Sequence, residues 1–158
     1  MIIDKKKYPN THASFTLKNR ILRFIWYIVQ ESLFRFSPRP FHLFRILILK
    51  LFGADIKWTN YIYNNVKIWA PWNLKIGYNN GIADGVILYN MEKILLGSNI
   101  TISQGAHLCT GTHDYTSKNF QLYAKKLLLR TMFGYVLKLL YIQMLKSTKV
   151  WWLELEVL

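Results

Sequence analysis

A residue that takes a proton from an attacking hydroxyl must titrate near neutrality and stand free of a packed core, and histidine suits the first demand. His113 meets the second on paper. It lies in Thr-Gly-Thr-His-Asp-Tyr-Thr (110–116), with Gly111 and Asp114 on either side, where a loop can lift it off a regular scaffold. The matching chemistry is acyl transfer: the base deprotonates a hydroxyl as its oxygen attacks a carbonyl, and nearby donors hold the oxyanion. Residue type alone favours a structural histidine, and Asp114 serves equally well as a ring-orienting or a loop-capping carboxylate. His12, His42 and His107 have no comparable setting. Cys109 is the single cysteine, which excludes an internal disulfide, fits a reducing cytosol and reads as a small buried hydrophobe. No metal-ligand spacing, Gly-rich phosphate loop or Ser/His/Asp set competes, so no metal is expected.

The segment that must position His113 has an unusual period. Ile56, Ile62, Ile68 and Leu74 fall six apart, and Ile76, Ile82, Leu88, Ile94 and Ile100 form a second row of six continued by Ala106. The rows are offset by two residues around Pro71-Trp72. Neither a helix nor an alternating strand makes this pattern. A coil with three flat faces does, with six residues and one inward aliphatic per face, which is the hexapeptide class of repeat. Asn64-Asn65, Asn79-Asn80-Gly81, Asp84-Gly85 and Gly97-Ser98-Asn99 supply residues that tolerate corner geometry.

Four zones follow: a polar leader (1–15), a helical segment (16–53), hexapeptide coils with the His113 loop (54–124) and an aberrant tail (125–158). In the second, Leu17, Ile21, Phe24, Ile25, Ile28, Val29 and Leu33 make one face of a helix ending near Phe36. Ser37-Pro38-Arg39-Pro40 stops it, a second helix runs from about Phe41 to Leu51, and Gly53 caps it. The expectation is that this preface packs on the coils; resting on an anionic membrane surface is the alternative. The tail reads as an apolar helix or as disorder, without the polar cap a repeat domain needs.

The net charge of +13 divides into +8 over residues 1–52 (ten Lys/Arg against Asp4 and Glu31), +1 over 53–124 and +4 over 125–158. The coil region is therefore almost neutral, which argues against nucleic acid as a partner. No signal peptide is visible, and charges interrupt every apolar run short of a spanning helix.

Three stretches carry a family resemblance: Phe-Ser-Pro-Arg-Pro-Phe-His-Leu-Phe-Arg-Ile-Leu-Ile-Leu-Lys-Leu-Phe-Gly-Ala (36–54), Ala-Pro-Trp-Asn-Leu-Lys-Ile-Gly (70–77) and Ile-Ser-Gln-Gly-Ala-His-Leu-Cys-Thr-Gly-Thr-His-Asp-Tyr-Thr-Ser (102–117). Residues 26–124 resemble the colanic acid biosynthesis acetyltransferases, a branch of the hexapeptide acyltransferases. The resemblance implies a mainly β chain, a left-handed parallel β-helix behind two amphipathic helices. It also implies a homotrimer in the cytoplasm, at most peripheral to the membrane. Acetyl-CoA would serve as co-substrate for O-acetylation of a sugar hydroxyl, free or lipid-linked, in exopolysaccharide synthesis. It makes His113 the base, with Asp114 beside it, and brings Asp84, Tyr89 and Asn90 forward as approximate acceptor-facing positions. Family acetyl-CoA sites lie between subunits and draw on later coils, so no cofactor-binding residue is assigned. Those coils are expected after residue 124. Written with A/T-leaning codons from Lys126 onward and stepped back by one base, the hidden frame can read as a run of hexapeptide coils, in which Met132-Phe133 and Trp151-Trp152 each force Val. The tail therefore reads as a frameshift product, and an inactive remnant acting at a membrane surface or with a partner is the alternative function.

Overall fold

A computed structural model describes residues 15–113, 122–130, 136–137 and 141–142. Two helices, α1 (Leu17–Val29) and α2 (His42–Leu51), precede short strands that wind round three faces. One face stacks β1 (Asp55–Ile56), β4 (Leu74–Ile76), β7 (Ile94–Leu96) and β12 (Leu127–Leu129). The second stacks β2 (Tyr61–Ile62), β5 (Gly81–Ile82), β8 (Thr101–Ile102) and β13 (Val136–Leu137). The third stacks β3 (Lys67–Ile68), β6 (Ile87–Tyr89), β9 (His107–Cys109) and β14 (Tyr141–Ile142). Pairing between coils is parallel throughout, which makes a parallel β-helix.

The coil is longer than the aliphatic period suggested. Ile56 pairs with Ile76, Ile62 with Ile82 and Leu88 with Leu108, each a step of 20 residues. The inward row therefore runs Ile56, Ile62, Ile68, Ile76, Ile82, Leu88, Leu96, Ile102, Leu108, with gaps of six, six and eight. A second inward set, including Val66, Leu74, Val86, Ile94, Ile100 and Ala106, stands two residues earlier on each face. Both rows expected from sequence crossed between these sets, at Ile68–Leu74 and at Leu88–Ile94. The extra two residues sit at one corner of every coil, where Pro71–Asn73 makes a 3₁₀ turn in the first.

Corner residues hold this stack. Asn79 (φ 54°) and Asn99 (φ 60°) take left-handed conformations at equivalent corners, as do Gly85 and Gly105 (φ 70° and 73°). Asn64 and Asn65, also expected to serve this way, are not left-handed. Asn80 is fully buried: its side chain donates to Asn60 Oδ1 (3.0 Å) and Gly97 O (3.0 Å) and accepts from the Ile100 amide (2.9 Å).

The helices close the N-terminal edge of the stack. An end coil presents strand amides and carbonyls that no further coil can pair. Here side chains take them. Trp26 Nε1 donates to Ile68 O (2.7 Å), Gln30 Oε1 accepts from Ile68 N (2.8 Å), and Arg45 Nε donates to Ile62 O (2.6 Å). Gln30 begins a π-helical turn (Gln30–Phe34) that continues α1. Arg45 is 0% exposed, and its other nitrogens reach Ser37 Oγ (2.7 Å), Pro38 O (2.8 Å), Arg39 O (2.6 Å) and His42 Nδ1 (3.0 Å). One guanidinium thus joins the Pro-rich turn, α2 and the first coil. Gly53 (φ 87°) ends α2 in a Schellman arrangement, its N–H on Lys50 O and that of Ala54 on Leu49 O.

The preface does pack on the coils. Trp26 and Phe34 are buried and Val29 packs against the core, whereas Leu17, Ile21, Phe24, Ile25, Ile28 and Leu33 are exposed. The tail also needs correcting. Its described parts are strands: β12 pairs with β7, β13 with β8 and β14 with β9, with Leu127 and Leu129 buried in the core. An apolar run has no periodicity that separates helix from buried strand, and the waiting edges of the last coil favour strands. The rest of the tail, the leader over 1–14 and Asp114 lie outside the described residues.

Candidate active site

His113 closes a strand of an antiparallel hairpin that leaves the β-helix. β10 (Gly111–His113) pairs with β11 (Leu122–Ala124), with His113 opposite Leu122 and Gly111 opposite Ala124. The hairpin springs from the eight-residue corner of the third coil, where the first two coils simply turn. Its base is tied shut: Lys125 N donates to Thr110 O (3.0 Å), and the coil resumes at once with Leu127 N on Lys93 O (2.9 Å). Thr110 is fully buried and anchors the exit, its N–H donating to Tyr89 O (3.1 Å) and its hydroxyl accepting from Glu92 N (2.9 Å). The imidazole is exposed three residues beyond this anchor. The lift off the scaffold expected from sequence is present, made by a strand rather than an irregular loop.

Asp84, Tyr89 and Asn90 separate. Asp84 is a half-buried corner residue whose carbonyl accepts from Gly105 N (3.2 Å). Asn90 is 0% exposed, and its amide is consumed within the scaffold, with Oδ1 accepting from Ala70 N (2.9 Å) and Nδ2 donating to Ala70 O (2.6 Å). It braces a corner and cannot face an acceptor. A period of 20 is the signal that separates it: Ala70, Asn90 and Thr110 occupy the same corner of successive coils.

Tyr89 alone of the three lines a cleft of about 320 Å³ between α1 and the third face, with Arg23, Trp26, Gln30, Lys67 and Trp69 among its walls. Trp69, Tyr89 and His107 run along this face as edge-to-face rings (5.8 Å and 6.4 Å between centroids). The Arg23 guanidinium lies 4.4 Å from the Trp69 ring centre. Burial is the main cause that lowers the pKa of Arg23; the Tyr89 phenol opposes it and Arg20 adds to it. Burial likewise pushes the Tyr89 hydroxyl up, reinforced by Cys109 and opposed by Arg23. The Cys109 thiol, which donates to Gly111 O (3.1 Å), is also raised by burial, with backbone hydrogen bonding at Gly111 opposing it. Arg23 and Trp69 carry no signal in a one-dimensional reading, although Trp69, Tyr89 and Cys109 stand 20 apart. Among the described residues no group of three His, Cys, Asp or Glu could hold a metal ion.

Comparison with known proteins agrees with this architecture. No family model matches the chain. Proteins named colanic acid biosynthesis acetyltransferase WcaF, from Escherichia coli K12 and from Shigella flexneri, are each 39% identical to it over 100 residues. That match covers 63% of this chain and 55% of each relative, so the chain spans about half the length of the curated relatives it matches. A crystal structure of a maltose O-acetyltransferase from Clostridium difficile 630 superposes with a TM-score of 0.59 at 20% identity, over 70% of this chain and 60% of that one. That likeness carries the hexapeptide-repeat fold.

Proposed function

We propose that this chain carries the acceptor-activating part of an acetyl-CoA-dependent O-acetyltransferase, acting on a sugar hydroxyl in exopolysaccharide synthesis, with His113 as general base. One observation carries the reading: the single hairpin among the described coils is tied at its base and exposes His113. The imidazole takes the sugar hydroxyl proton as the oxygen attacks the thioester carbonyl. The tetrahedral intermediate collapses, the carbonyl carbon keeps its new C–O bond, and coenzyme A leaves as the thiolate that receives a proton. Asp114 is the residue next to the base and is assigned to orient it. Tyr89 in its cleft is the acceptor-side residue that the geometry favours over Asp84 and Asn90. A trimer in the cytoplasm would complete the cofactor site from a neighbouring copy.

The test is acetyl-CoA consumption by the full chain with glycosides as acceptors, compared with His113→Ala and His113→Gln. A positioned base contributes about 10²- to 10⁴-fold, so both variants should lose at least about 100-fold. Equal rates in all three proteins would eliminate the reading. The reading-frame origin of residues 127–158 is a separate proposal, decided by the nucleotide sequence around codons 124–128.

A further inference from the structure

The helical cap has two sides. Trp26 is 1% exposed and faces the first coil, whereas Leu17, Ile21, Phe24 and Ile28 are 69%, 52%, 66% and 51% exposed. At helical spacing these four make one row opposite Trp26, so it points away from the coils. Lys18 and Arg20, both exposed, flank the row, and the first turn of α1 has no acidic residue. α2 repeats the arrangement. Leu43, Leu47 and Leu51 stand one turn apart and exposed, with Ile46 and Leu49 buried behind them. Glu31, the one carboxylate between residues 15 and 52, is already paired with Arg35 (2.7 Å).

We infer that this outer side of the cap is a docking surface for an anionic lipid bilayer, with both helices lying in the interface and the coil stack standing away from it. Apolar rows of this size are seldom left open in water, and a basic rim chooses the partner. A second copy of this chain is a poor occupant of this row, because +8 of the net charge lies within residues 1–52 of each copy, while the nearly neutral coils stay open to a neighbouring copy. A bilayer supplies both missing properties, an apolar layer for Phe24 and Ile28 and negative headgroups for Lys18 and Arg20.

Co-sedimentation of the full chain with phosphatidylcholine vesicles, with and without phosphatidylglycerol, tests this. Binding should be about tenfold or more stronger to the anionic vesicles and should weaken at about 0.5 M salt. Phe24→Ser with Ile28→Ser should abolish most of it while circular dichroism stays unchanged, since both side chains point away from the coils. If that double variant does not fold, Lys18→Glu with Arg20→Glu takes its place and should remove the anionic preference. Equal binding to both vesicle types, no binding by the folded chain, or self-association in sedimentation equilibrium that Phe24→Ser with Ile28→Ser abolishes would each overturn the inference.

Discussion

Replacing Arg45 with Met removes the guanidinium and keeps most of the apolar stem. Five contacts disappear together: to Ile62 O, Ser37 Oγ, Pro38 O, Arg39 O and His42 Nδ1. Charge-assisted bonds contribute about 1.5–3 kcal/mol each, so a bare sum would reach the whole stability of an ordinary domain. That sum is too large, because removing a buried guanidinium also recovers its desolvation cost, several kcal/mol. The difference is set by the neutral acceptors left behind, and two of them keep a neighbour that can donate: Phe41 N stays on Pro38 O, and His42 Nδ1 lies 2.9 Å from Ile62 O. Ser37 Oγ and Arg39 O lose theirs, at about 1–3 kcal/mol each, so the loss comes to about 2–6 kcal/mol. At about 2–4 °C per kcal/mol for a chain this long, the midpoint should fall by about 4–24 °C. Arg45→Lys retains the charge with donors on one nitrogen only and should recover less than half. Urea unfolding followed by circular dichroism at fixed protein concentration measures both variants. A loss below about 1 kcal/mol for Arg45→Met would refute the claim that this side chain fastens the cap to the first coil.

Three further outcomes follow from the stack. A Cβ at Gly77 would stand 2.5 Å from Gly97 O and 2.6 Å from Ser98 Oγ, so Gly77→Ala should cost about 1–3 kcal/mol in urea unfolding. Asn80→Ala strips the Ile100 amide and Gly97 carbonyl of their partner and should cost about 2–4 kcal/mol, with the far-ultraviolet spectrum of the folded protein retained. Tyr89 and Cys109 are both held above their ordinary pKa, so folding favours their protonated forms. Their contribution is full below the unfolded pKa values and is lost as pH rises through the raised ones. Melting temperature should therefore fall on the alkaline side, less steeply in Tyr89→Phe, and Cys109 should react with a disulfide reagent more slowly than a free thiol at about pH 8.5.

The β-helix was legible because its core is written in one residue class, and aliphatics at a fixed step of six fit hardly any other backbone geometry. Coil length was not. Residues two apart on a face both point inward, so a row of six can pass from one inward set to the other, as it does at Ile68–Leu74, without a visible break. Amphipathicity told that α1 has an apolar side but not which side packs; the capping bonds of Trp26 and Gln30 decide that, and no periodicity encodes them. Of the site, the position of His113 off the coil was readable from Gly111 and the end of the repeat. Asn90 was misplaced because a buried amide bracing a corner and one facing a ligand look alike in one dimension.

The corner that carries the hairpin has a consequence for how such a chain can change. From β4 to β7 the chain advances 20 residues, Leu74 to Ile94, and from β7 to β12 it advances 33, Ile94 to Leu127, so the excursion adds 33 − 20 = 13. An insertion of odd length inside a strand would turn every later side chain inside out. Here it does nothing of the kind, because Thr110 and Lys125 bring the two ends together before the next strand begins. The corner works as a socket whose wiring is independent of what is plugged into it. Loops of other lengths and chemistries exchanged between Thr110 and Lys125 should leave the stack intact, so one scaffold can carry different excursions without being refolded.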